Sequence, residues 1–127
     1  MTPGIATLLR CSGKAGDVWY LEWTYASSNA VTLDTAQSDA SPDIATPVAD
    51  SGAGEVLVTF PKSDRVRLAV ATLEPATPGT GNREAVVHSI DASAGTLNVS
   101  MCQHSDDAPT DPVTGARARL TLLLERN

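Results

Sequence analysis

Apolar and polar residues alternate with a period of two through much of this chain, most clearly in its second half. The alternating segments are residues 54–61, 65–74, 83–91, 96–103 and 116–126. A period of two puts successive side chains on opposite faces of an extended chain, so each segment is predicted to be a β-strand. In residues 65–74 the alternation predicts one apolar face, made by Val66, Leu68, Val70 and Thr72.

Two further features refine the prediction for this half of the chain. The loop Asp91-Ala92-Ser93-Ala94-Gly95 separates two alternating segments and ends in glycine, which is typical of a β-hairpin. A helical spacing of Val66, Val70 and Leu73 is the weaker alternative for residues 65–74. Residues 116–126 are predicted to form a central core strand, because alanines and leucines occupy every second position.

The first third of the chain predicts strands at residues 5–11, 17–26 and 30–33. Most of the aromatic side chains lie on one face of the second of these strands: Trp19, Trp23 and Tyr25, together with Leu21. Residues 34–54 contain four aspartates and two prolines, and Ile44 and Val48 are their sizeable apolar residues, so this segment is predicted to be a long acidic surface loop or insertion.

These segments predict an all-β fold, an antiparallel β-sandwich or a jelly-roll-like barrel of about seven to nine short strands. A length of 127 residues predicts a single domain spanning residues 1–127. The composition agrees, because aromatic residues make up only 4% of the chain and β-branched residues are frequent.

Charge and chain ends exclude several classes of protein. A formal net charge of −6 argues against nucleic acid or an anionic membrane as partner. No run approaches the roughly 18 apolar residues of a membrane-spanning helix. The first residues lack the basic and apolar regions of a signal peptide, so we expect the chain to stay in the compartment where it is made, with Cys11 and Cys102 as thiols.

The residues that carry chemistry form no recognisable motif. His88, Cys102 and His104 do not have the spacing of a zinc site. A triad of Ser89, His88 and Asp91 lacks the Gly-x-Ser-x-Gly turn, and the acidic residues 106–111 lack the spacing of a calcium loop. We therefore expect a protein that is not an enzyme, with no catalytic residue, no cofactor and no metal.

The distribution of charge is more informative than these motifs. No basic residue occurs between Lys14 and Lys62, whereas seven acidic residues do. One interpretation is a solvated loop that aids solubility. The other is an acidic contact surface that meets a basic patch on a partner. On the second interpretation, the contact residues are Asp34, Asp39, Asp43, Ile44, Val48 and Asp50, held in place mainly by the other chain.

Residues 52–127 show an order of strand and turn signals that resembles a group of small phage structural proteins. The matching segments are Gly54-Glu55-Val56-Leu57-Val58-Thr59-Phe60, Asp91-Ala92-Ser93-Ala94-Gly95-Thr96-Leu97-Asn98-Val99, and Asp111-Pro112 ahead of Ala116-Arg117-Ala118-Arg119-Leu120-Thr121-Leu122. The resemblance implies an auxiliary capsid protein of a tailed phage, which decorates or cements the shell by binding the major capsid protein. It would be made in the bacterial host cytoplasm and reside on the capsid exterior of the virion.

Self-association into a homotrimer is also expected, because Leu57, Leu73 and Leu123 fall on strand faces opposite the better core faces. Two alternatives remain open. One is a component of the phage tail or head fibre. The other is a carbohydrate-binding β-sandwich module, in which Trp19, Trp23 and Tyr25 would form a stacking platform.

Overall fold

The computed structural model describes residues 8–11, 14–27, 30–77, 83–103, 106–110, 112 and 114–126. It contains ten strands: β1 (Leu8–Cys11), β2 (Lys14–Ser27), β3 (Ala30–Leu33), β4 (Val48–Gly52), β5 (Glu55–Thr59), β6 (Arg65–Glu74), β7 (Arg83–Asp91), β8 (Thr96–Gln103), β9 (Asp106–Pro109) and β10 (Arg117–Arg126). The predicted all-β sandwich is confirmed. The additional strands are β4 and β9, which lie in segments for which the alternation predicts no strand.

The strands form two antiparallel sheets that pack face to face. The first has the order β1-β2-β10-β6, and β3 also pairs with β2. The second has the order β4-β5-β8-β7, and β9 also pairs with β8. At one side of the sandwich β6 lies next to β7, and at the other β3 lies next to β4.

The core lies between the sheets and is made by the inward-facing residues of both. In β10, Ala118, Leu120, Leu122 and Leu124 are each at most 1% exposed, so this strand is the central core strand predicted from its alternation. It pairs with β2 on one side and β6 on the other. From the second sheet, the same core includes Val56, Val58, Leu97, Val99 and Met101.

A β-bulge changes which side chains of β6 face the core. The register of β6 against β10 shifts so that Leu68 pairs with Leu123 but Val66 pairs with Leu124, which leaves Arg67 as the extra residue. The alternation therefore changes phase at Arg67. Val66, Ala69, Ala71 and Leu73 pack against the core, whereas Leu68 and Val70 point outward and are 50% and 47% exposed. The predicted apolar face of Val66, Leu68, Val70 and Thr72 is thus wrong beyond Val66, and Leu73 needs no cover from another chain.

The predicted hairpin between β7 and β8 is present. Its last loop residue, Gly95, has a φ of +74°, and the carbonyl oxygen of Phe60 lies 2.4 Å from where a Cβ would stand. Glycine at this position therefore serves both the turn and the close approach of a neighbouring chain segment. The register of the hairpin shifts between His88 and Asp91, where Ser89 adopts a φ of +56° and Ile90 is turned to solvent.

Candidate interaction surfaces

The acidic segment packs against the edge of β2. β1 pairs with residues 14–17 of β2 and β3 pairs with residues 23–27, so residues 18–22 lie between these two partners. The Asp34 amide donates to the Glu22 carbonyl at 2.8 Å, and the Asp39 amide donates to the Tyr20 carbonyl at 2.8 Å. The segment therefore fills the gap in the sheet edge between two strands.

Two side chains of the segment satisfy the remaining backbone groups of this edge. The Asp39 carboxylate accepts from the Tyr20 amide at 2.7 Å, and the Ser38 hydroxyl accepts from the Glu22 amide at 2.9 Å and donates to the Glu22 carbonyl at 3.2 Å. Ser38 and Asp39 are only 1% and 2% exposed. Because an uncovered strand edge is a template for pairing with other chains, these two residues act as an edge cap.

This geometry corrects the expectation that another chain holds the segment in place. Asp39 is buried in the edge cap, and Val48 is 6% exposed in the core at the start of β4. Asp34 forms an ion pair with Arg117 at 2.8 Å, and Ile44 is half-buried. Only Asp43 and Asp50 are exposed. Of the six residues predicted as a contact surface, Asp39 and Val48 are thus buried within the chain, and contact of the others with a partner stays a prediction.

The environment of Asp39 differs from that of the other acidic residues of the segment. Burial raises the pKa of the Asp39 carboxyl above its ordinary value, although the hydrogen bond from the Tyr20 amide acts in the opposite direction. Asp34, by contrast, has a lowered pKa because its carboxylate accepts a hydrogen bond from Arg117. The folded state therefore favours the protonated form of Asp39 and the ionised form of Asp34.

A network of charged side chains covers the outer face of the first sheet. Arg117 forms ion pairs with Glu22 and Asp34, and Arg119 lies 3.5 Å from Glu22 and 2.9 Å from Glu74. β2, β10 and β6 bring these residues together, because Glu22 pairs in register with Arg119 and Glu74 with Arg117. The opposite charges occupy alternate positions on adjacent strands. The sequence alone does not reveal the pairing, because it depends on which strands are neighbours.

The network also changes the ionisation of two residues on β2. The hydroxyl of Tyr20 donates to Glu22 at 2.5 Å. Burial, followed by the hydrogen bond to Glu22, raises the pKa of Tyr20 to about 12. Burial by itself would raise the pKa of Glu22, but hydrogen bonds from Tyr20 and Arg117 and the charges of two arginines together lower it. Glu22 is therefore ionised in the folded protein at neutral pH.

The strand registers show which charged residues lie at each end of the sandwich. The basic end is the end where β2 and β6 start and where β1 and β10 finish. Of the side chains that the structure describes, it carries three basic and five acidic ones: Lys62, Arg65 and Arg67, with Asp17, Asp43, Asp64, Asp91 and Glu125. The backbone of three further basic residues also lies at this end, those of Arg10, Lys14 and Arg126.

The opposite end, which we call the acidic end, is where β2, β6 and β8 finish and where β5, β7 and β10 start. Of the side chains that the structure describes, it carries six acidic and two basic ones: Glu22, Asp34, Asp50, Glu55, Glu74 and Glu84, with Arg117 and Arg119. The backbone of Arg83, Asp106 and Asp107 also lies at this end. Acidic residues thus outnumber basic ones most strongly at this end. The sequence shows the acidity as a feature of the segment before Lys62, whereas the fold places it at one end of both sheets.

The histidine on the outer face of the second sheet contacts partners that the sequence analysis did not identify. His88 Nε2 lies 2.6 Å from the Ser100 hydroxyl and 3.5 Å from Glu55, and the Ser100 hydroxyl donates to Glu55. Asp91 does not contact His88 in this arrangement; its carboxylate accepts from the Ser93 hydroxyl and the Ala94 amide within its own turn. The arrangement is not a catalytic triad, because Ser100 is 5% exposed and contacts the carboxylate itself.

The aromatic residues of β2 are part of the core. Trp23 and Tyr25 are 0% and 3% exposed, Trp19 is 8% exposed, and the Trp23 indole donates to the Tyr25 hydroxyl at 3.2 Å. They offer no surface on which a sugar ring could stack, so the carbohydrate-binding alternative loses the platform on which it rested. A shallow cavity of about 370 Å³ near the basic end is lined instead by Asp43, Ile44, Phe60 and Lys62.

Among the described residues, no group of three or more His, Cys, Asp or Glu side chains is placed to hold a metal ion. Cys102 is a half-buried thiol, and the side chains of Cys11 and His104 lie outside the described part of the chain. In the described residues no helix is long and apolar enough to cross a membrane. The chain matches no protein family model, no curated protein and no solved structure at a significant level.

Proposed function

We propose that this protein is a non-enzymatic structural protein of a tailed-phage virion, which binds the major capsid protein on the shell exterior and stabilises the shell. It is made in the bacterial host cytoplasm and assembles onto the capsid. The proposal begins from the resemblance of residues 52–127 to small phage structural proteins. The segments that carry the resemblance lie in β5, in the β7–β8 hairpin and in β10, which belong to the two sheets of one sandwich.

The observation that carries the proposal is the uneven distribution of acidic residues between the two ends of the sandwich. The acidic end includes residues of both sheets and has the larger excess of acidic side chains, and Asp50, Glu74 and Glu84 are exposed there. Such a surface attracts a basic partner and orients the protein as it approaches. A protein that binds a repeating surface in one orientation needs a charged surface that orients it, and it needs no catalytic group.

The acidic end replaces the segment of residues 34–50 as the proposed shell contact. Asp50 belongs to both sets, because β4 ends at the acidic end. Asp43 belongs only to the earlier set, since it lines the cavity next to Lys62 near the basic end. These two exposed aspartates can therefore be changed in the same way to distinguish the two surfaces.

The proposal is tested by mixing the purified protein with phage shells that lack it. We expect saturable binding at a fixed number of copies per shell and a higher temperature of shell rupture. Binding should weaken as salt rises towards 1 M, because exposed charges are then screened over about 3 Å.

The matched variants are Asp50→Asn and Asp43→Asn. Each removes one exposed carboxylate with no change in side-chain size, and we expect only Asp50→Asn to weaken binding to the shell. Addition of Glu84→Gln to Asp50→Asn should weaken it further. Saturable binding that both single variants leave unchanged would contradict the acidic end as the contact, and binding to tails instead of shells would favour the tail or head-fibre alternative.

A further inference from the structure

The cavity near the basic end is built by three separate segments of the chain. Its volume is about 370 Å³, and it is lined by residues of the acidic segment, by residues 59–62 and by Ala94 of the β7–β8 loop. This volume lies at the low end of the range for small-molecule sites, about 300–1,000 Å³. The cavity therefore has room for one small molecule.

Backbone contacts hold the segments in place around the cavity. The Phe60 amide donates to the Gly95 carbonyl at 2.8 Å, and the Thr59 amide donates to the Pro47 carbonyl at 2.8 Å. A Cβ on Gly95 would lie 3.4 Å from Cγ of Lys62, so the stem of Lys62 lies against this glycine. The walls of the cavity are thus parts of the fold, and the site does not have to be assembled by its ligand.

Apolar side chains form part of the lining. Ile44 and Pro61 are half-buried, and Phe60 is 1% exposed and belongs to the core of the sandwich. The cavity therefore reaches down to the core. Apolar ligand atoms that bind there are removed from water, which favours binding but does not select a particular ligand.

Three polar groups of the lining have no partner in the part of the chain that the structure describes. They are the Asp43 carboxylate, the Lys62 ammonium group and the Thr59 hydroxyl. Asp43 and Lys62 are exposed, and they do not form an ion pair with each other. One negative group, one positive group and one hydroxyl are thus available to a ligand in the same cavity.

This set of groups is complementary to a ligand that carries both charges. A ligand with only a negative charge would leave Asp43 without a partner, and one with only a positive charge would leave Lys62 without a partner. Free amino acids and dipeptides have an ammonium group, a carboxylate and a side chain in one small molecule. Those with apolar side chains match the apolar part of the lining as well.

We propose that this cavity binds a small zwitterion with an apolar side chain, of the class of free amino acids and dipeptides. The ammonium group of the ligand pairs with Asp43, and its carboxylate pairs with Lys62 and accepts from the Thr59 hydroxyl. Its side chain packs against Ile44 and Phe60. The site is independent of shell binding, because the proposed shell contact lies at the opposite end of the sandwich.

The test is a titration of the ¹⁵N-labelled full chain, followed by NMR, with leucine and with leucyl-leucine. We expect saturable shifts at residues 41–44 and 59–62, with a dissociation constant for leucyl-leucine of about 0.1–1 mM, as for a ligand of this size. N-acetyl-leucyl-leucine lacks the ammonium group and leucyl-leucine amide lacks the carboxylate. Each should bind about three- to tenfold more weakly, because one exposed ion pair is lost.

Matched variants test the assigned partners. Asp43→Asn should weaken the binding of leucyl-leucine about three- to tenfold, and it should leave the binding of N-acetyl-leucyl-leucine unchanged because that ligand has no ammonium group. Asp50→Asn removes an exposed carboxylate at the opposite end, so it is the control and should not affect either ligand.

Three results would overturn the proposal. They are the absence of saturable shifts with either zwitterion up to about 20 mM, equal affinities for leucyl-leucine and its two derivatives, and unchanged binding of leucyl-leucine to the Asp43→Asn variant. Shell binding is measured separately on the same variants. A protein that binds shells but no zwitterion would refute this inference alone, and one that binds leucyl-leucine but no shells would refute the proposed function alone.

Discussion

Removal of the Asp39 side chain tests whether the acidic segment is part of the fold. Asp39→Ala deletes the acceptor of the Tyr20 amide, which would then be left without this partner at a buried edge of β2. An unsatisfied buried donor costs about 1–3 kcal/mol, but the substitution also removes the cost of burying a carboxylate. We therefore expect a net loss of about 1–2 kcal/mol in the free energy of unfolding.

Asp39→Asn separates the hydrogen bond from the charge. The amide oxygen can still accept from the Tyr20 amide, so the cost at neutral pH should be below about 1 kcal/mol. Because burial raises the pKa of Asp39 in the folded state, the folded protein binds this proton more readily than the unfolded chain does. Between the ordinary and the raised pKa, this carboxyl makes the wild-type protein less stable as pH rises. Asparagine has no such dependence, so Asp39→Asn should become more favourable relative to wild type as pH rises above about 4, the ordinary pKa of an aspartate.

The assay is urea unfolding followed by the fluorescence of Trp19 and Trp23, which lie in the core and report loss of packing. Asp43→Ala is the control, because Asp43 is an exposed aspartate of the same segment and its loss should cost less than about 0.5 kcal/mol. Equal stabilities for Asp39→Ala and Asp43→Ala would refute the reasoning, and the segment would then be the solvated loop predicted from its composition.

Two other predictions concern stability. Gly95→Ala should destabilise the protein by more than about 2 kcal/mol, because it combines a positive φ with a Cβ placed 2.4 Å from the Phe60 carbonyl oxygen. Thermal melting measures the loss, and Ala94→Ser at the exposed neighbouring position is the control that should be nearly neutral. Arg67→Met should cost about 1–3 kcal/mol, because Arg67 forms an ion pair with Glu125, whose side chain is 2% exposed. Addition of Glu125→Leu should recover part of that loss in urea unfolding, and a further loss of stability would contradict this account of the pair.

The strands that alternate strictly were predictable because their pattern reflects burial directly. β3, β6, β7 and β8 have the predicted ends, and the inward face of β10 is as expected. Alternation failed within β6, since a bulge shifts the phase by one residue and nothing in residues 65–74 marks Arg67 as the extra position. Leu68 and Val70, which resemble core residues in the sequence, are on the surface for this reason.

The acidic segment could not be interpreted from its own residues. Ser38 and Asp39 are polar and resemble loop residues, but both are buried. They are buried because β1 and β3 together pair with only part of one edge of β2, and these two residues cover the rest. Their role depends on a gap in a distant strand edge, which is a property of the topology. The acidic end could not be predicted for the same reason, since it gathers residues from seven strands and one loop.

The most direct test of the central claim is cryo-electron microscopy of phage shells that lack the protein, before and after the purified protein is added. The account predicts new density on the outside of the shell at a fixed number of copies, with the acidic end of each sandwich facing the major capsid protein. Shells that remain bare at saturating protein, or density confined to the tail, would contradict it.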